Sequence, residues 1–244
     1  MMYFRTNYSS VLFGNDLSMI EKYKNNITLG DCLDVMKSLP DKCIDLILTD
    51  PPYGIKVARR GRLGSPGKLG VQVTDYGRSD WDDTIPGKEY FDEMFRISKN
   101  QIIFGGNFMV ENINKNSPCW IVWDKDNSGN YADCELAWTS FPSAVKKYVW
   151  RWNGMLQQDM KNKEHRIHPT QKPVKLFEMI LRDYYLNKDC SGIVADFFSG
   201  SASCAIACHN LQIPFIAVEK DVKMYEKSVQ RLKDAQAQQK LFYL

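Results

Sequence analysis

Four consecutive residues, Asp50-Pro51-Pro52-Tyr53, bring together a carboxylate, a stiff backbone and an aromatic ring. They directly follow the apolar run 44–49, whose length and branched side chains predict a buried strand. Because prolines cannot continue a sheet ladder, the strand is expected to end there in a rigid turn. Ligands of open α/β sheets bind beyond the carboxyl ends of the strands. The turn is therefore a candidate site, although an ordinary proline turn after a strand could have the same residues.

A second candidate site is the segment 196–201, Asp-Phe-Phe-Ser-Gly-Ser, which has the pattern of a strand, a tight loop and a helix start. A glycine lets the backbone approach a ligand, and the N–H groups of the helix start face it. Only one glycine is present, so the loop lacks the full Gly-x-Gly-x-x-Gly pattern. Glu219 ends the next predicted strand, where an acid that binds ribose hydroxyls is expected. This order of elements favours a nucleotide-type ligand over a simple acid at a helix start.

A third candidate is Lys172, which lies between Pro169 and Pro173. A cation on such a stiff backbone suits the capture of a carboxylate. We expect His168 to be structural, because the three histidines form no metal-ligand pattern. No metal site is predicted.

The composition is that of a globular protein of 244 residues, with 44% hydrophobic and 25% charged residues. This length suits one α/β domain, residues 1–244. The net charge of +3 permits a nucleic-acid partner without requiring one. No apolar run approaches the length of a bilayer span, and the N-terminus does not resemble a signal peptide. The seven scattered cysteines predict reduced thiols and a cytoplasmic location.

The long segment 54–86 is rich in glycine and charge. Compact domains rarely contain such long loops unless the loops are functional. We favour a lid that orders on an anionic partner over a solvated loop. Its first half carries five basic residues and no acid before residue 75: Lys56, Arg59, Arg60, Arg62 and Lys68.

Local patterns predict alternating strands and helices through most of the chain. The strands are expected at 27–29, 44–49, 101–104, 119–123, 134–139, 144–150, 192–196 and 214–218. The helices are expected at 32–38, 88–98, 174–186, 202–211 and from 221 onwards. The strands 134–139 and 144–150 are expected to form an antiparallel pair around Pro142.

Four motifs in this order, with Glu219 at its expected place, resemble those of one family, the S-adenosylmethionine-dependent DNA amino-methyltransferases of the permuted type. They are the segments 30–31, 48–53, 168–173 and 196–201. The resemblance implies a Rossmann-like, doubly wound, mostly parallel α/β sheet with an antiparallel strand pair. It also implies a catalytic half at 27–141, a short target-recognition segment at 142–167 and a cofactor-binding half at 168–244. The chain departs from the family pattern at Phe197 and Ala202, where proline and glycine are frequent.

The resemblance implies methyl transfer to an exocyclic amino group of a flipped-out base. Such a nitrogen is a weak nucleophile, so Asp50 and the carbonyl of Pro51 would accept its two hydrogens and hold it in attacking geometry. Asp50 would then take the proton, directly or through water. Tyr53 would stack on the base, and Pro52 helps to fix the turn. Aspartate at the first position favours adenine N6 by the family pattern. Cytosine N4, RNA or a protein amide as substrate, and a silent DNA-binding subunit, remain alternatives.

The same resemblance implies S-adenosylmethionine as the cofactor. Asp31 and Cys32 would lie near its adenine, Glu219 would hold its ribose, and Thr170 and Lys172 would hold the methionine end. The full set of implied cofactor residues is Asp31, Cys32, Asp50, Thr170, Lys172, Asp196, Phe198, Ser199, Gly200, Ser201 and Glu219.

DNA is the implied partner, and basic side chains would contact its phosphates without selecting a sequence. The candidates are Arg59, Arg60, Arg62, Lys146, Lys147, Lys161 and Lys163. Members of the family often dimerise, and some act beside a cognate restriction endonuclease. The sequence leaves a homodimer, such an endonuclease and the target site open.

Overall fold

Strands and helices alternate in the computed structural model, which describes residues 14–56, 59, 81–126, 132–153 and 156–241. The strands are β1 (Asn26–Leu29), β2 (Ile44–Thr49), β3 (Ser98–Phe104), β4 (Trp120–Asp124), β5 (Cys134–Thr139), β6 (Lys146–Val149), β7 (Trp152–Asn153), β8 (Leu156–Gln157), β9 (Val194–Asp196) and β10 (Phe215–Glu219). The helices are α1 (Gly14–Tyr23), α2 (Cys32–Ser38), α3 (Lys88–Ile97), α4 (Val110–Ile113), α5 (Val174–Tyr184), α6 (Ser203–Asn210) and α7 (Val222–Leu241).

The main sheet of the described residues has eight strands in the order β1-β10-β9-β2-β3-β5-β4-β6, and β7 and β8 form a separate hairpin. The first five of these strands are parallel. From β9 the chain moves outward to β10, whereas from β2 it moves the opposite way to β3. The point between β9 and β2 is therefore a topological switch point, where a ligand crevice is expected. The predicted fold class, a doubly wound and mostly parallel sheet with an antiparallel pair, is confirmed.

Helices cover both faces of the sheet, which explains why the central strands are apolar on both sides. Leu46 and Leu48 of β2 pack in a core cluster with α5 and α6. Ile47, which points to the opposite face, packs in a second cluster with α2 and α3. All six residues of β2 are buried, so the turn that follows it starts from a rigid base.

The predicted pairing of segments 134–139 and 144–150 is wrong in detail. Both edges of β5 are occupied, because it pairs antiparallel with β3 and with β4. The strand β6 therefore cannot pair with β5, and it pairs in parallel with the outer edge of β4. The two segments do run in opposite directions, but β4 lies between them. The antiparallel contribution to the sheet comes from β5 instead.

The chain leaves β3 through a glycine turn that brings it close to the Asp-Pro-Pro-Tyr turn. Gly105 has a left-handed conformation with φ of 66°. A Cβ atom at this position would lie 2.1 Å from the ring of Tyr53. At Gly106 a Cβ atom would lie 2.5 Å from the Cβ of Trp138. Gly105 therefore allows the end of β3 to pack directly against Tyr53, and Gly106 allows it to pack against Trp138 of β5.

We expect Gly105→Ala to lower the free energy of unfolding by about 1–3 kcal/mol, because alanine is strained at this φ and its Cβ would displace Tyr53. Urea unfolding would measure the change. Gly87→Ala is the matched control, since its Cβ would meet only the flexible carboxylate of Glu89. Equal losses in the two variants would contradict this account of the turn.

Candidate active site at the ends of the central strands

The two predicted sites meet at the switch point of the sheet. Asp50 follows β2, and Asp196 ends the neighbouring strand β9. The hydroxyl of Thr49 donates a hydrogen bond of 2.7 Å to Asp196 Oδ1. Burial raises the pKa of Asp196 to about 7, although the hydrogen bonds from Thr49 and from the N–H of Phe198 oppose the rise. The Asp-Pro-Pro-Tyr turn and the glycine loop therefore lie on adjacent strands.

The Asp-Pro-Pro-Tyr turn is held by the carboxylate of Asp82, which is only 1% exposed. The backbone N–H groups of Tyr53 and Gly54 donate to Asp82 Oδ1 at 2.8 and 3.0 Å. The hydroxyl of Tyr53 donates to Asp50 Oδ1 at 2.8 Å. These contacts fix the orientation of the Tyr53 ring and of the Asp50 carboxylate.

The ammonium of Lys172 lies against this turn and is buried, with its side chain 4% exposed. It forms an ion pair with Asp50 Oδ2, lies 3.0 Å from Glu135 Oε2, and donates to the hydroxyl of Tyr53 at 3.0 Å. The sequence predicted that Lys172 captures a carboxylate. In the structure its carboxylate partners belong to the chain itself, and a contact with the methionine end of a cofactor stays a prediction.

Burial and the neighbouring charges together determine the pKa values of Asp50, Glu135 and Lys172. Burial raises the pKa of Asp50, the Lys172 ammonium opposes this rise, and the Glu135 carboxylate adds to it. Burial also favours a higher pKa for Glu135, but the charges of Lys172 and Lys125 outweigh this effect and lower its pKa to about 2. The two carboxylates raise the pKa of Lys172 more than burial lowers it. Asp50 is thus the more basic of the two carboxylates that share the ammonium.

Glu135 and Phe108 of this site were not identified from the sequence, and neither were Asp82 and Lys125. Glu135 is an acid within the otherwise mainly apolar strand β5, and that isolated charge was the signal for it. Phe108 stacks on the ring of Tyr53, with 5.1 Å between ring centroids and 18° between planes, and it is 46% exposed. The predicted stacking of a base on Tyr53 therefore concerns a ring that already contacts another aromatic side chain.

Glu219 ends β10 and binds the glycine loop through its side chain. Its Oε2 accepts from the N–H of Gly200 at 2.7 Å, and its Oε1 accepts from the N–H of Asp221 at 2.8 Å. Burial raises the pKa of Glu219, although both hydrogen bonds lower it. On the neighbouring strand end, the N–H of Gly30 donates to the Glu219 carbonyl at 2.9 Å.

Asp31 follows Gly30 and caps helix α2 by accepting from the N–H of Leu33 at 3.0 Å. Its carboxylate also accepts from Lys220 at 2.8 Å and from the hydroxyl of Tyr90 at 3.1 Å. Cys32, the first residue of α2, is buried beside it. The predicted neighbours of a cofactor adenine thus lie next to the strand that carries Glu219.

The glycine loop contains a buried polar atom that fits a bound ligand. The hydroxyl of Ser199 is buried and has no hydrogen-bond partner in the described part of the chain. Buried polar groups are rarely left unsatisfied, so this oxygen suits a contact with a polar cofactor atom. The neighbouring residue Phe198 lies beside Tyr90, with 6.2 Å between ring centroids.

The last turn of the loop is fixed by contacts from other elements. Ser201 offers its carbonyl to Arg231 at 2.6 Å, and the hydroxyl of Ser203 donates to the carbonyl of Lys172 at 2.7 Å. Ala202 has a left-handed conformation with φ of 63°, which glycine adopts more easily.

Thr170 lies near Lys172 in sequence, and its Oγ1 is 3.1 Å from His168 Nδ1. Burial and the Lys172 charge lower the pKa of His168 to about 4, and its structural role stays a prediction.

The predicted DNA contacts fall into three groups. Some already form ion pairs: Arg59 with Asp83 at 2.6 Å, Lys146 with Asp183 at 2.6 Å, and Lys147 with Asp124 at 2.9 Å. Lys161 and Lys163 are exposed near the start of the His-Pro segment. Arg60 and Arg62 lie outside the described residues, as does Lys68 of the predicted lid.

Among the residues that the structure describes, no three or more His, Cys, Asp or Glu side chains are grouped so that they could bind a metal ion. None of the helices in these ranges combines the length and apolar character needed to cross a bilayer.

Comparisons with known proteins show which proteins this chain is similar to. A family model described as N6_N4_Mtase, DNA methylase, matches residues 143–230. Type II methyltransferase M2.MboI of Moraxella bovis is 25% identical over 84% of this chain and 86% of its own length. Type II methyltransferase M.HinfI of Haemophilus influenzae is 23% identical over 88% of this chain and 70% of its own length.

These matches support a DNA amino-methyltransferase family for this chain. Solved structures share the fold. The M1.HpyAVI–SAM complex has a TM-score of 0.50 and 24% identity, and the match covers 84% of this chain and 98% of that one. PvuII DNA methyltransferase, which is cytosine-N4-specific, has a TM-score of 0.53 and 13% identity, with 86% and 90% covered. One of the structures that share the fold is thus N4-specific, and the fold does not choose between N6 and N4.

We expect Lys172→Met to lower the free energy of unfolding by about 3–5 kcal/mol at pH 8, because it leaves two partly buried carboxylates facing each other. Without the ammonium, the pKa of Asp50 in the folded state, which is already raised, would rise further, and the pKa of Glu135 would rise above its unfolded value. The native variant would then bind more protons than the unfolded chain, so its stability should fall as pH rises and recover towards pH 5.

Urea unfolding of the wild type and the variant at pH 5 and pH 8 would test this expectation. Lys175→Met is the matched control, since the Lys175 side chain is 46% exposed and pairs with Glu178. A loss of stability that is the same at both pH values would contradict the role given to the ammonium.

Proposed function

We propose that this DNA amino-methyltransferase transfers a methyl group from S-adenosylmethionine to the N6 amino group of adenine in DNA. The observation that carries the proposal is the carboxylate of Asp50 at the switch point, one strand away from the glycine loop. Aspartate at the first position of the turn supports N6 over N4.

The residues around the glycine loop suit the cofactor. Glu219 would accept hydrogen bonds from the two ribose hydroxyls, for which a carboxylate has enough lone pairs. The hydroxyl of Ser199 and the N–H groups after Gly200 would meet the methionine portion, with Thr170 and Lys172 on the facing segment. Asp31 and Cys32 would border the adenine. When bound, S-adenosylmethionine supplies an electrophilic methyl group on a sulfonium centre.

The turn would hold the acceptor base. Asp50 already accepts from Tyr53 and Lys172, and its two oxygens retain lone pairs for the amino hydrogen of a base. The carbonyl of Pro51 would accept the second amino hydrogen, and Pro52 would keep both acceptors fixed. This arrangement directs the nitrogen lone pair towards the methyl group and favours the positive charge that develops on nitrogen. Asp50, with its raised pKa, would then accept the released proton.

We further propose that the segment 142–167 serves mainly as support and contacts DNA only along its exposed part. Trp152 Nε1 donates to the carbonyl of Gln171 at 2.7 Å, and Glu164 pairs with Arg231 at 2.8 Å. Both contacts tie the segment to the proposed cofactor-binding half at 168–244. Lys161 and Lys163 are the exposed cations between them, and we propose that they contact phosphates.

The nucleoside that is methylated is the direct test of the proposal. DNA from a host that lacks methylated bases would be incubated with the protein and labelled S-adenosylmethionine, and its nucleosides would be separated by mass spectrometry. We expect the label in N6-methyladenine. Label in N4-methylcytosine, or in no nucleoside, would contradict the proposal.

We expect Asp50→Ala to bind S-adenosylmethionine with an affinity within about threefold of wild type but to lose methyl transfer by at least about 100-fold, because general base and positioning roles together contribute about that much. Calorimetry and label incorporation would measure the two quantities. Asp234→Ala, on the exposed face of α7, is the matched control and should keep full activity. An active Asp50→Ala variant would contradict the mechanism.

We expect the double variant Lys161→Gln and Lys163→Gln to reduce the slope of log K against log salt by about 2, since each phosphate contact contributes about 0.9. Fluorescence anisotropy with a DNA duplex at several salt concentrations would measure the slope. The control is Lys188→Gln with Lys233→Gln, which removes two exposed charges elsewhere. If both double variants change the slope equally, the two lysines do not form a specific phosphate contact.

A further inference from the structure

Glu135 lies in a chain of alternating charges that runs from the edge of the site to its centre. Lys125, whose side chain is 18% exposed, forms an ion pair with Glu135. Glu135 Oε2 lies 3.0 Å from the ammonium of Lys172, and the same ammonium pairs with Asp50. The four groups come from the segment after β4, from β5, from the His-Pro segment and from the turn after β2. Their charges sum to zero.

We propose that Glu135 is a positioning residue that sets, through Lys172, how strongly the carboxylate of Asp50 accepts the amino hydrogen and proton of the base. The inference rests on the proposed function, in which Asp50 is the group that contacts the reacting nitrogen. Glu135 acts on Asp50 and need not touch the substrate.

The protons of the Lys172 ammonium explain the coupling. An ammonium has three donor positions, and Lys172 has three oxygen partners: Asp50 Oδ2, Glu135 Oε2 and the hydroxyl of Tyr53. If Lys172 faced Asp50 alone, its full charge would stabilise the Asp50 carboxylate and make it a weaker base. Because Glu135 shares the ammonium, Asp50 keeps more of its basicity. Lys125 limits this effect by neutralising part of the Glu135 charge.

The other charged groups around Asp50 do not replace Glu135 in this role. Tyr53 stays neutral, because burial and the two carboxylates raise its pKa well above the ordinary value. His168 is neutral above pH 5, since its pKa is lowered to about 4. Asp82 binds backbone N–H groups of the turn, and Asp196 lies on the adjacent strand. Asp196 titrates near pH 7, but it is unchanged in the variants compared below.

Two single substitutions should shift the pKa of Asp50 in opposite directions. Glu135→Gln keeps the shape but removes the negative charge, so Lys172 would act on Asp50 alone and the pKa of Asp50 should fall. Lys125→Gln leaves Glu135 without its outer partner, so the Glu135 carboxylate would interact more strongly with Lys172. The ammonium would then stabilise the Asp50 carboxylate less, and the pKa of Asp50 should rise. A purely structural role would weaken the protein in both variants without opposite shifts.

The primary experiment is an NMR titration of the full chain with ¹³C-labelled aspartate carboxyl carbons, with the Asp50 signal assigned from Asp50→Asn. We expect the pKa of Asp50 to shift down by about 0.5–1 unit in Glu135→Gln and up by a similar amount in Lys125→Gln. Glu226→Gln, an exposed change on α7, should leave it unmoved. Shifts of the same sign, or no shift in either variant, would overturn the inference. If Glu135→Gln does not fold, the shift of the Asp50 pKa in Lys125→Gln alone tests the inference.

The second readout is the pH dependence of kcat. Activity needs the Asp50 carboxylate, so the rate falls as pH falls through its pKa, and this acid limb should move with the NMR values. We expect kcat of Glu135→Gln to drop about tenfold near neutral pH, with partial rescue in Glu135→Asp. An acid limb that stays in place while the NMR values move would show that Glu135 does not act on the reaction through Asp50. If the NMR shifts occur but wild type methylates no nucleoside, the proposed function fails and the coupling stands.

Discussion

One buried ammonium, that of Lys172, connects most of the residues on which the site depends. It is nearly inaccessible to water, and it is shared by Asp50, Glu135 and the hydroxyl of Tyr53. Two partly buried carboxylates in this position would repel each other and would be costly to desolvate without a cation between them. The ammonium allows both to stay charged, and it also determines where the acceptor oxygens of Asp50 lie.

Backbone geometry brings these side chains together. The switch point places the ends of β2 and β9 side by side, and the buried β2 gives the Asp-Pro-Pro-Tyr turn a rigid start. Asp82 then fixes the turn through two backbone N–H groups, and Gly105 lets β3 end directly against the ring of Tyr53. On the cofactor side, Glu219 holds the glycine loop in the same manner. Acidic side chains thus hold the backbone of both loops.

The sequence was informative where a residue's role depends on its near neighbours. The run 44–49, the prolines after it and the Asp31 helix cap predicted β2, the turn and α2 with the bounds observed. The order of strand, loop, helix and acid likewise located Glu219 at the end of β10. These features are local, so periodicity and turn chemistry were enough to identify them.

Features that depend on distant parts of the chain could not be predicted in this way. The position of β6 followed from which strand edges were already occupied, and no local pattern encodes that. The partners of Lys172 come from residues 50 and 135, and the stacking of Phe108 on Tyr53 needs the glycine turn after β3. An acid at position 135 reads as an ordinary polar residue of a strand until the fold places a cation beside it.

The direction of β5 has a consequence for how the protein is put together. Because β5 runs against its neighbours, its starting end, and not its finishing end, lies beside the crevice. It therefore contributes Glu135 from the first part of the chain, as β2 contributes Asp50. The cation that both carboxylates share is Lys172, from the later part of the chain. Neither part is electrically balanced at this spot alone. A fragment ending before the His-Pro segment would hold Asp50 and Glu135 with only Lys125, which pairs with Glu135, so Asp50 would have no cation beside it and the two parts depend on each other for charge as well as for packing.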